Sequence, residues 1–242
     1  MNITCDSQVF DFNFNATTDG NLSSLGAKAV SADGRVFRYV KAGASDLVIG
    51  TLVDAPATDT TNFVNMAVAA NAAAGVKQIS ITSGVAVAAN TFVGGTVTIN
   101  AGAGAGYTYT IKSHNVLSGA GTLVVTVDDN EAIVVSLASA TSKATLLKNP
   151  YNGVKIHAQA EDSIPVGAVC AVIPANNFGW IQTRGPLALL GDATVAAIGL
   201  KVAASTTTDG AITAGTATLA SIGYAIVASV STEKRPVFLT ID

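Results

Sequence analysis

At 242 residues the chain is long enough for one large β domain or two small ones, each with a buried core. Apolar residues make up 49% of it, yet aromatics reach only 6% and charges 12%, so the interior must be mostly Ala and Val; with 23 glycines, that palette suits thin, tightly packed strands rather than Leu-rich helices. A net charge of −3 without any basic cluster excludes an electrostatic nucleic-acid binder, and Thr, Ser, Asn and Gly break up the charge-free spans 78–111 and 211–232 too often for a membrane crossing.

Met1 to Asp6 carry neither a basic segment nor an apolar run, so no secretory signal is expected. Residues 1–26 read as a polar N-terminal arm in which Phe10, Phe12 and Phe14 alternate. Such a ladder serves as an edge strand on its own sheet or as an arm contacting a partner. Cys5 and Cys170, far apart in sequence, are expected to be free thiols.

From Ala27 a β pattern begins. Ala27–Val30 and Arg35–Val40 flank Asp33-Gly34, a strong hairpin signal, and Val48–Val53 reads as a further strand ending near Pro56. Phe63–Ala74 has helical spacing in an all-β neighbourhood and is read as extended. Between 76 and 150 strands are expected at Gln78–Thr82, Gly95–Asn100, Tyr107–Ile111, Thr122–Val127 and Ala132–Val135, separated by Gly or Asp/Asn turns. The glycines of Ala101–Gly106 lead into a strand rather than a helix, so they predict a hairpin loop and not a phosphate cradle.

After Pro150 the first pattern resumes. Ile49-Gly50, Ile198-Gly199 and Ile222-Gly223 each open a segment that closes on Ala, with glycine expected at a bulge or barrel corner. Phe178–Pro186 holds the single tryptophan in a strand closed by Gly185-Pro186, and Trp180 reads as the core anchor of the barrel. The expected fold is therefore all-β: residues 27–75 and 151–242 form a β-barrel or sandwich domain, and 76–150 form a small inserted β domain.

Chemistry-bearing constellations are sparse. His114 and His157 sit in polar, turn-like surroundings, and no Gly-x-Ser-x-Gly elbow marks a nucleophile. The two Cys and two His lack zinc-ligand spacing, and Asp128–Glu131 and Glu161-Asp162 lack the oxygen pattern of a Ca²⁺ loop. The sequence thus gives no catalytic, cofactor or metal residue, and the chain is read as a non-enzyme without cofactor.

Gly94–Asn100, Gly104–His114, Asn149–Val154 and Phe178–Pro186, in that order, resemble segments of virion structural proteins of tailed bacteriophages. The Ile-Gly strands are similar to those of head decoration, or cement, proteins; the resemblance covers residues 27–242. It implies a structural protein on the capsid exterior, assembled in the host cytoplasm and trimeric. Its implied partner is the phage major capsid protein, whose subunit contacts it braces, with no nucleic acid or membrane involved. Phe10, Phe12 and Phe14 are then the candidate partner-contact arm. The alternatives are a carbohydrate- or cell-surface-binding module, whose groove Tyr107, Tyr109 and Tyr151 would line, and a minor tail protein.

Overall fold

The computed structural model describes residues 25–139, 141–159, 163–192, 197–216, 219–228 and 232–242. The protein is all-β, with sixteen strands and no helix among the described residues. Its contacts divide the chain into two units. One combines the segments up to Ala57 and from Pro150 onward; the other is Thr58–Asn149.

The first segment supplies β1 (Lys28–Val30), β2 (Val36–Ala42) and β3 (Leu52–Asp54). The Asp33-Gly34 signal marks the β1–β2 hairpin, where Gly34 has φ 82° and Val30 pairs with Val36. The inserted unit contains β4 (Met66–Ala67), β5 (Gln78–Ser83), β6 (Thr96–Ala101), β7 (Thr108–His114), β8 (Gly121–Val127) and β9 (Lys143–Leu147). The return segment adds β10 (Asn152–Ile156), β11 (Pro165–Val169), β12 (Phe178–Leu190), β13 (Lys201–Ala204), β14 (Ile212–Ala214), β15 (Ser221–Ala225) and β16 (Lys234–Thr240).

In the discontinuous unit, β2, β10, β3, β11 and β12 pair in that order, and β12 pairs back onto β2, closing a five-stranded ring. Val40, Val154, Val53, Val166 and Ile181, one from each strand, fill it. The sheet continues through β16, β15, β13 and β14, and a bridge from Gly191 to Ile212 returns β14 to the end of β12. This second ring has its own core, including Leu189, Val202, Ile212, Ile222, Val237 and Leu239. Thirteen-residue β12 therefore belongs to both rings.

The changeover within β12 falls at the Trp-bearing stretch. Residues 178–184 pair with β2 and residues 184–190 with β16, with a bulge between Gln182 and Arg184. Gly185 bends the strand at φ 95°, where a Cβ would lie 2.8 Å from Arg35 Cγ. The buried Gln182 amide donates to the carbonyls of Arg184 and Pro186, both at 3.0 Å. Trp180 lies elsewhere than expected. It is half-buried on the face opposite Ile181, 5.1 Å from Tyr39 in a peripheral aromatic cluster with Phe178 and Leu25, because period-two alternation sends Ile181 and not its neighbour into the ring.

The inserted unit is a six-stranded sheet in the order β4-β9-β6-β7-β8-β5, and the bridge Val68–Ile81 brings its edges together. Ile79, Val97, Ile111, Leu123, Val125 and Leu146 are among its buried residues. Its boundary is 58 rather than 76. Phe63 packs edge-on against Phe92 at 4.8 Å and Met66 pairs with Ala144, so 58–75 belong to the insertion and not to the outer domain. Phe63–Ala74 forms no helix: it holds the short strand β4 and isolated bridges at Val68 and Ala72, but residues 63–65 bend, with Asn65 at φ 58°. Ala132–Val135 forms no strand: Val134 and Val135 are exposed, and the last strand of the unit is β9 instead.

Candidate docking surface

The side chains that alternate with the second core make the feature most in need of explanation. On β12, β16 and β15, Leu189, Val237, Leu239 and Ala225 point inward, while Pro186, Ala188, Pro236, Phe238 and Tyr224 are exposed. Pairing lines the exposed set up in rows: Pro186 faces Phe238, which faces Tyr224, which faces Lys201. The next row runs from Ala188 to Pro236 and on to Ile226, whose N–H donates to the Pro236 carbonyl at 3.2 Å. Phe238, Tyr224 and Ile226 are 39%, 42% and 39% exposed. The outcome is a sheet apolar on both faces, with only its inner face covered among the described residues.

Glycine lets the strands beneath this surface approach closely. A Cβ at Gly223 would lie 2.2 Å from the Phe238 carbonyl oxygen, so β15 reaches β16 only without a side chain there. The Ile-Gly segments therefore do two different jobs. Gly50 and Gly199 have φ 76° and 80° in turns behind the exposed Ile49 and Ile198, whereas Ile222 is buried within β15. Lys234 spans the turn at Gly50, donating from Nζ to the Ile49 carbonyl at 2.6 Å.

The residues singled out for chemistry are used structurally. His157 is buried, its Nδ1 2.8 Å from Asp54 Oδ2 and its Nε2 2.9 Å from the Ser205 carbonyl, so neither ring nitrogen faces a hydroxyl in the manner of a hydrolase triad. His114 Nε2 accepts the Phe92 N–H at 3.2 Å. Asp129 pairs with Lys112 at 2.6 Å, which with that amine's charge holds the carboxyl below its usual range, and Glu131 accepts from Thr110. Glu161 and Asp162 lie outside the described residues. No group of three or more His, Cys, Asp or Glu suited to a metal occurs among the described residues.

Phe10, Phe12, Phe14 and Cys5 also lie outside the described residues. Cys170 is a buried free thiol whose burial pushes its pKa up to about 11. Tyr107 and Tyr109 stack at 6.3 Å, but Tyr109 is buried and its hydroxyl accepts the Val134 N–H. Tyr151 belongs to the other unit, beside Arg38. Tyr107 and Tyr109 therefore do not present a common row of exposed rings. The sequence signal for the sheet face lies in Lys234–Thr240 and Ser221–Ala225, where apolar residues occupy both strand faces.

Comparison with protein-family models, with curated proteins and with solved structures finds no match.

Proposed function

We propose that this chain is a structural protein of a tailed-phage virion that binds the outside of the capsid and stabilises contacts between major capsid protein subunits. The observation that carries the reading is the exposed apolar face of Pro186, Ala188, Tyr224, Ile226, Pro236 and Phe238 on a ring-closed frame. A brace between shell subunits works through shape-matched, desolvated contact and needs no reacting groups. The phage-like segments described above supply the partner class. The Phe10, Phe12 and Phe14 arm is a second contact in this reading, and a homotrimer is the assembly that the resemblance implies.

The deciding measurement is the copy number of the chain in purified particles relative to the major capsid protein. A ratio near that of the shell subunits, lost on stripping heads, supports decoration. A few copies per particle would replace it with a minor tail or receptor-binding role, and absence from particles would remove the virion reading. Phe238→Asp should weaken binding to undecorated heads at least about tenfold while leaving the fold intact, as expected for an aromatic anchor at an interface. Deleting residues 1–20 tests the arm separately in the same assay.

A further inference from the structure

We propose that His157 is a proton-operated latch that joins the two rings of the discontinuous unit, closed while its imidazole carries two protons and released when one is lost. His157 follows β10 and faces Asp54 at the end of β3, both in the first ring; Ser205 follows β13 in the second. The main chain adds to the junction, with His157 N–H donating to Leu52 O at 3.0 Å and Gly210 N–H donating to His157 O at 2.8 Å.

The partners set the protonation state. A carboxylate and a backbone carbonyl only accept, so a ring meeting them at 2.8 and 2.9 Å must donate from both nitrogens. Moving the shared proton onto Asp54 leaves the pair with the same proton count. Removing it sets a lone pair against an oxygen. The side chains of His157 and Asp54 are 3% and 1% exposed, so water cannot compensate. Asp54 Oδ1 has no hydrogen-bond partner among the described residues, which leaves the imidazolium as the carboxylate's donor.

Among the described residues, the charged groups near the pair lie on several elements. Lys155 on β10 is the cross-strand partner of Asp54, and Pro165 faces it from β11. Behind Ser205, Asp192 accepts from the Ser205 and Thr207 hydroxyls, and Asp209 accepts the Gln159 N–H at 3.1 Å. A cavity of about 200 Å³ borders the ring between Ser163, Ile164, Pro165, Ala203, Ala204 and Leu219, giving solvent a place to enter once the latch opens. His114 provides an internal contrast. It accepts at Nε2 from Phe92, so it carries its one proton on Nδ1, directed at the Asn115 carbonyl.

The test is ¹⁵N-histidine NMR on the full chain, with the two rings assigned through His114→Asn. Both His157 nitrogens should remain protonated through pH 8, although a free imidazole titrates near ~6.5. Above that pH, exchange of the Leu52, His157 and Gly210 amides should accelerate at least tenfold beyond the intrinsic rise. Asp54→Asn lets a side-chain N–H donate to a neutral Nδ1, so it should abolish that extra acceleration. A His157 ring with a single protonated nitrogen at pH 7 would overturn the proposal, as would amide exchange that follows the intrinsic curve from pH 7 to 9. If Asp54→Asn does not fold, the wild-type spectra decide alone.

Discussion

Gln182 shows how one side chain permits a strand to serve two rings. Where β12 leaves β2 for β16, the carbonyls of Arg184 and Pro186 are bound by the buried Gln182 amide. Gln182→Leu keeps the bulk but leaves both carbonyls without that donor. It should destabilise the discontinuous unit by about 1–3 kcal/mol, the cost of an unsatisfied buried polar group, measurable by urea unfolding. Cys170 offers a second check at this scale. Its thiol is buried with Sγ 3.6 Å from the Trp180 carbonyl, and its pKa is pushed up to about 11, so almost no thiolate forms at pH 8. In a Cys5→Ser variant, labelling by a disulfide reagent at pH 8 should therefore proceed at the rate of unfolding. Fast labelling of the folded protein would contradict the burial.

At the scale of elements, β2 and the segment beyond β16 are fastened by Arg38, which binds Asp242 through Nε and Nη2 at 2.7 and 3.0 Å while Thr183 donates to the same carboxylate. The Arg38 hydrogen bond outweighs the opposing effect of burial, and with help from Thr183 it holds the Asp242 carboxyl below its usual range. A depressed carboxyl stabilises the folded state above its unfolded value of ~3.9, and that contribution is lost as pH falls through the lower folded value. Asp242→Asn should cost about 1 kcal/mol at pH 5, and the gap from wild type should narrow as pH falls below the unfolded value of ~3.9. The same scale shows what was legible in the sequence. Alternation and turn residues located β5, β6, β7 and β8, because each has one covered face, and the Asp33-Gly34 turn located β2, which is buried on both faces. Lys143–Leu147 was missed because β9 is short and lacks β-branched residues apart from Thr145, while Ala132–Val135 imitates a strand but is held as a loop, with the Val134 N–H on Tyr109. Ring closure through β12 depends on pairings more than a hundred residues apart, such as Phe178 with Lys41, which no local pattern encodes. The exposed apolar face was half legible: its apolar residues can be read from β15 and β16, but their alignment into rows requires the register.

For the whole molecule, the division of the core predicts independent folding. The inserted unit has its own buried cluster, and the discontinuous unit fills its two rings with residues outside 58–149. The chain also leaves and rejoins the discontinuous unit at neighbouring points, since a Cβ at Gly153 would sit 3.8 Å from Pro56 Cβ. A short Gly/Ser linker in place of 58–149 has little distance to span and adds little closure entropy. That variant should fold, unfold cooperatively and retain binding to heads, because the apolar face lies entirely outside the insertion. Residues 58–149 alone should also fold, and should not bind heads. Calorimetry of the full chain and of both parts checks the folding claim, and co-sedimentation with undecorated heads checks the binding claim. A linker variant that folds but fails to bind would move the contact surface to the inserted unit, whereas one that cannot fold would show that the two cores are energetically coupled.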